Sequence, residues 1–169
     1  AQCAVHATNM FLQAPTATEE QFRSVAASLA QQHRATLDLL CDTQGNFAPI
    51  VIAEWLHETA GISVHTQNLA SAAHLLEVLT ETNRAILLMP AHAATLLRTH
   101  SSLTFLDSQA IGGPQAIETV ADLEALWTLG VRNVLVESHE DTASEPPAHV
   151  DLVSSRESVA PDEEAARED

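Results

Sequence analysis

An α/β (α+β) fold, with helices packed on a small and mainly antiparallel sheet, is predicted for this chain by three observations. Residues 3–61 carry apolar side chains at helical spacing, interrupted by turn-forming clusters. Residues 62–138 hold short apolar runs of strand length as well as helical ones, bounded by Asn, Gly and Pro. Within that half, residues 95–98 and 103–106 flank the polar Thr99-His100-Ser101-Ser102, the pattern of a hairpin.

The elements follow in order. From Cys3 the chain runs through Ala4, Met10, Phe11 and Leu12 with no Gly or Pro before Pro15, which predicts a buried helix with Cys3 in its first turn. Pro15 breaks it, and Thr18 with Gln21 three positions on has the form of a capping box. The second helix so opened is expected to reach about Leu40, with Phe22, Val25, Ala26, Leu29 and Ala30 inward. Glu19, Glu20, Arg23 and Gln31 then face water, and His33 lies on the surface. Asp42 to Asn46 is a turn by composition, and Pro49 suits the first turn of a third helix running through Ile52, Trp55 and Leu56 to a C-cap at Gly61. Ile62 to Thr66 alternates as a short strand and Ala70 to Leu79 is apolar at helical intervals. Ala85 to Met89 is a continuous apolar run, as expected of a strand buried on both faces. After the hairpin, Gly112-Gly113-Pro114 is a loop, Ala121 to Leu129 a helix closed by Gly130, and Asn133 to Val136 a final strand. Beyond Glu137 the composition turns to Glu, Asp, Ser, Pro and Ala, so residues 1–138 are assigned to one domain and 139–169 to an acidic disordered tail.

Composition excludes several classes of function. A hydrophobic content of 46% fills one core, and no run of eighteen apolar residues or basic-then-apolar leader is present, so no membrane association is expected. Two cysteines, Cys3 and Cys41, make no disulfide framework and fit a reducing compartment, cytoplasmic or nuclear. A net charge of −16, with all seven basic residues Arg, argues against nucleic acid, whose phosphates need clustered cations. The absence of lysine reads as compositional drift in preference to escape from lysine-linked modification.

Cys3 is the candidate nucleophile. Unpaired N–H groups and the positive end of the helix dipole stabilise a thiolate at a helix start, although a small buried cysteine is the plainer reading of the residue alone. His6, one helical turn away, is expected to support the site from behind or to be structural, its Cβ about 5–6 Å from that of Cys3. Asn9 is expected to fix a nearby backbone group, and His100 to be exposed in the hairpin turn. Cys3-x-x-His6 has ligand-like spacing, but no second Cys/His pair completes a four-ligand site, so neither metal nor other cofactor is expected. Antiparallel pairing of the hairpin brings its two ends together, so His92 and Asp107, fifteen positions apart, are expected to meet.

Cys-Ala-x-His-x-x-Asn-x-x-Leu-Gln, here Cys3 to Gln13, resembles the opening of the Josephin family of cysteine deubiquitinases. Gln13-Ala14-Pro15 with Thr18 to Phe22 is similar to the approach to the family's second helix, and Gly45 to Ile52 to the start of its next. His92, with Asp107 inside Phe105-Leu106-Asp107-Ser108, is similar to the family's catalytic His and its acidic or amide partner. The likeness covers roughly Cys3 to Glu137. It implies a papain-like cysteine protease fold of Josephin type, and the short Cys41 to Gly45 connection resembles members without the long helical arm. It also implies a deubiquitinase acting on ubiquitin or polyubiquitin at the C-terminal Gly, with Cys3 as nucleophile, His92 as base and Asp107 orienting the base, and a monomer is expected. Two departures stand out. Ala93 follows His92 where the family commonly carries Trp, and the family's oxyanion Gln lies further upstream of the nucleophile than Gln2. An inactive Josephin-like module that only binds ubiquitin, and a general papain-type cysteine protease, remain as alternatives.

Overall fold

Backbone hydrogen bonds and apolar burial together convert these patterns into five α-helices and six strands in the computed structural model, which describes residues 2–100 and 102–138. The tail assigned to 139–169 lies outside the described residues.

Helix α1 (Cys3–Leu12) buries Ala4, Val5, Ala7, Thr8 and Phe11, and ends on Gln13 in the left-handed region. Helix α2 (Glu19–His33) opens with the expected capping box, Thr18 and Gln21 satisfying each other's backbone N–H groups. It ends well before Leu40. Arg34 turns left-handed at φ 52, Ala35 N–H bonds back to the Ala30 carbonyl, and a single 3₁₀ turn occupies Leu37–Leu39. The reason is burial: the inward face of α2 stops at Leu29 and Ala30, and Leu37 and Leu39 lie exposed, so nothing holds a longer helix against the core. Helix α3 (Pro49–Trp55) carries Pro49 in its first turn, widens into a π turn over Leu56–Ala60, and is closed by Gly61 at φ 65.

The sheet has the order β1-β6-β2-β3-β4-β5, and every neighbouring pair is antiparallel. Strand β1 (Val64–Asn68) starts two residues later than its alternation suggests, because Ile62 N–H closes the preceding helix on the Leu56 carbonyl. Helix α4 (Ala72–Glu81) leads to β2 (Arg84–Met89), in which Ala85, Ile86 and Leu87 are fully buried on alternating faces. Strands β3 (His92–Thr99) and β4 (Ser102–Leu106) form the expected hairpin. A three-residue β5 (Gln115–Ile117), not expected from the sequence, adds an edge. Helix α5 (Val120–Thr128) carries a second capping box, Thr119 with Asp122, whose carboxylate the N–H groups of Thr119 and Glu118 hold below its ordinary pKa. Strand β6 (Asn133–Glu137) then inserts between β1 and β2, one strand in from the β1 edge.

Two apolar layers sandwich this sheet. Helices α1, α2 and α3 pack with Ile86, Ala93 and Leu135 on one face. Helices α4 and α5 pack with Leu87, Ala94, Leu96, Phe105, Val134 and Val136 on the other. Helix α1 lies on β2 and β3, where the small Ala4 and Ala7 meet the small Ala93. The Thr95 hydroxyl of β3, fully buried, donates to the Ala7 carbonyl at 2.7 Å, fastening α1 to the strand that begins with His92. None of the described helices is long and apolar enough to cross a membrane.

Candidate active site

Cys3 is the first residue of α1 and only 3% exposed. Gln2 precedes it as N-cap without a side-chain cap bond, and the first turn holds no acidic residue. The first N–H groups of a helix have no intrahelical acceptor, so the thiol sits against unpaired donors and the positive end of the dipole.

The hairpin between β2 and β3 places the candidate base. Met89 pairs with His92 across a two-residue turn of Pro90 and Ala91. The Pro90 ring fixes a negative φ, and Ala91 takes φ 53, a left-handed value that favours glycine. The Ala91 carbonyl faces Cys3, with the Sγ 3.9 Å away as donor. Backbone strain at a non-glycine residue is thus located beside the candidate nucleophile.

His92, which opens β3, and Asp107, which follows β4, share the open end of the β3–β4 hairpin and meet through His92 Nε2 and Asp107 Oδ1 at 2.9 Å. Their side chains are 16% and 17% exposed, so water screens the pair weakly. An ionised carboxylate only accepts, which puts the ring proton on Nε2 and leaves the lone pair on Nδ1. That Nδ1 is buried and has no hydrogen-bond partner. His92 and Cys3 line one cavity of about 170 Å³, together with Ala4, Asn46, Phe47, Pro49, Ile52, Leu88, Met89, Ala91 and Ala93.

The rim opposite the hairpin is built by the loop after Cys41. Asp42 accepts from Gln44 N–H at 2.8 Å and Asn46 N–H at 2.9 Å, and from the Asn46 side chain at 2.6 Å. The Asn46 backbone N–H, followed by its side chain, holds the Asp42 carboxyl below its ordinary pKa. Phe47 then packs edge-on against Phe22, which also meets Trp55. A second groove of about 540 Å³ adjoins the cavity through Pro49, Leu88 and Met89 and continues past Asn68, Gly130 and Arg132. Neither lining contains an acidic side chain.

The remaining sequence candidates separate clearly. Asn9 brackets the backbone of Ala17, accepting from its N–H at 2.7 Å and donating to its carbonyl at 3.0 Å. His100 is exposed at φ 52 in the hairpin turn. His6, expected to support the site or to be structural, is exposed and makes no side-chain hydrogen bond among the described residues. No three His, Cys, Asp or Glu side chains among the described residues are grouped to hold a metal ion. Gln2 donates its amide to Glu19 at 2.9 Å. Gln109 was not foreseen: its Nε2 lies 3.8 Å from Cys3 Sγ and its N–H donates to Asp107 Oδ1 at 2.8 Å. Nothing in its sequence setting marks it, since the reach depends on how the loop after β4 folds back. No protein-family model matches the chain, and no curated protein matches it.

Proposed function

We propose that this chain is a cysteine hydrolase of papain-like, Josephin type that cleaves peptide or isopeptide bonds after the C-terminal Gly of ubiquitin. The observation that carries the reading is the division of labour at His92: Nε2 bound to Asp107 and Nδ1 buried and unpartnered, on a ring that lines the same cavity as Cys3. A ring held this way takes a proton at Nδ1 and returns it there. In the proposed cycle Nδ1 removes the Cys3 proton, and the sulfur forms a C–S bond to the Gly carbonyl carbon as the C=O π pair moves onto oxygen. That pair returns as the C–N bond breaks, and the amine leaves with the proton from Nδ1. Water, deprotonated at Nδ1, then attacks the thioester, and Cys3 leaves as thiol with the carboxylic acid released.

Substrate choice rests on the resemblance of residues 3–13 and 92–108 to Josephin deubiquitinases. The chain's acidity supports attraction of the Arg-bearing ubiquitin tail at long range only, since neither cavity lining is acidic. One observation favours a second reading, a general papain-type protease. The cavity beside Cys3 has a largely apolar lining, and Ala93 stands where the family commonly carries Trp, which leaves room for a substrate side chain that a Gly-Gly tail does not have. Hydrolysis of ubiquitin bearing a C-terminal aminocoumarin, beside tetrapeptide coumarins ending in Gly or Leu, tests both. Turnover of the ubiquitin substrate that is lost in Cys3→Ala is the expected result. Cys3-dependent cleavage of the Leu peptide alone would replace the deubiquitinase reading with the second.

A further inference from the structure

We infer that the side-chain amide of Gln109 is an oxyanion donor of this site, working with the backbone N–H of Cys3, an assignment that rests on the cysteine-hydrolase reading above. A tetrahedral intermediate on Cys3 needs hydrogen-bond donors aimed at its oxygen. The first is available by construction, because a residue at the first position of a helix has no intrahelical acceptor for its N–H. Among the described residues, three side-chain amides are candidates for the second, on Gln2 next to Cys3, on Asn46 in the cavity lining and on Gln109. Gln2 is bound to Glu19 Oε2 at 2.9 Å, and Asn46 to Asp42 Oδ2 at 2.6 Å. Gln109 Nε2 has Cys3 Sγ, at 3.8 Å, as its hydrogen-bond partner among the described residues.

Position agrees with that elimination. The Ala91 carbonyl oxygen, 3.9 Å from Sγ, is an acceptor and repels an oxyanion formed on its side. The Gln109 side presents a donor. A donor 3.8 Å from the sulfur reaches a point about 3 Å from both itself and the nucleophile, where the oxyanion forms. The long contact to sulfur in the resting site becomes a short one as charge moves from sulfur to oxygen, so the bond strengthens on the way to the transition state. Asp107 Oδ1 holds both His92 Nε2 and Gln109 N–H, so a single oxygen aligns the base and the loop that bears the donor.

Gln109→Ala and Gln109→Glu separate this role from others. Gln109 is exposed, and unchanged circular dichroism and melting are expected of both variants. Three readouts apply: kcat on ubiquitin aminocoumarin, the rate of Cys3 alkylation by iodoacetamide, and affinity for a Gly-Gly aldehyde that forms a hemithioacetal on Cys3. Alkylation forms no oxyanion. The expected result is a fall in kcat of about 10²–10³-fold in Gln109→Ala and at least as much in Gln109→Glu, with alkylation within about threefold of wild type and aldehyde affinity at least about tenfold weaker. Near-wild-type kcat in Gln109→Ala overturns the assignment, as does an alkylation rate that falls in step with kcat, which would place Gln109 on the thiol alone. If the wild-type protein leaves ubiquitin intact yet binds the aldehyde, the ubiquitin reading fails by itself, and unweakened aldehyde binding in Gln109→Ala then overturns the donor role. If wild type neither turns over ubiquitin nor binds the aldehyde, both fall together.

Discussion

His92 has two ring nitrogens in opposite circumstances, one bound to Asp107 and the other buried without a partner. A buried acceptor left unpaired costs about 1–3 kcal/mol, and the proposed proton transfer gives this one, on a ring that lines the same cavity as Cys3, a role. His92→Ala is therefore expected to lower kcat by about 10²–10⁴-fold with substrate affinity largely kept. Asp107→Asn should lower it by a smaller factor than Asp107→Ala, because an amide oxygen still accepts from Nε2 and holds the ring. Steady-state kinetics on the three variants check the ranking, and equal losses in Asn and Ala would show that charge, not orientation, is what Asp107 supplies. At this scale the sequence was legible where a periodic element carried the residue. Cys3 at a helix start and His92 and Asp107 at hairpin ends were accessible from spacing. Gln109 and Ala91 were not, since their proximity to Sγ depends on turn conformations that no periodicity encodes.

Helix α1 and strand β3 each bring one half of the candidate site, and what fixes their relation is small side chains and one buried hydroxyl. Ala4, Ala7 and Ala93 allow the approach, and Thr95 Oγ1 locks it on the Ala7 carbonyl. Thr95→Val keeps the shape and removes the hydroxyl. We expect a loss of about 0.5–1.5 kcal/mol for the hydrogen bond, raised toward about 3 by the Ala7 carbonyl left without that donor. Urea unfolding measures this, and an unchanged midpoint would mean the hydroxyl does not hold the helix to the strand. Elements with strong capping or punctuation were readable in advance, among them the Thr18–Gln21 box, Pro49 and Gly61. The end of α2 was not, because residues 34–40 have helix-tolerant side chains and differ only in having no core to face. Three-residue β5 is too short for alternation to register, and its existence depends on pairing with β4.

Across the whole molecule, the sheet order β1-β6-β2-β3-β4-β5 is a tertiary property that local pattern does not contain. Only the fully apolar runs of β2 and β6 hint that these two strands lie in the interior. Their burial on both faces requires helices on both sides, with α1–α3 on one and α4–α5 on the other. The candidate site lies where the α1 layer meets the β2–β3 turn and the chain leaving β4, so the sheet registers bring residues 92 and 107 together beside the helix that carries residue 3. Two free cysteines, both buried, offer an internal control on that arrangement, because Cys41 lies beside Arg23 and does not line the cavity that Cys3 and His92 share. The most direct measurement is reaction with a ubiquitin carrying a thiol-reactive group at its C-terminus, followed by mass mapping of the adduct. The account predicts a single adduct on Cys3 that persists in Cys41→Ala, vanishes in Cys3→Ala and forms far more slowly in His92→Ala. An adduct on Cys41, or reversible binding of ubiquitin with no adduct at all, would contradict it.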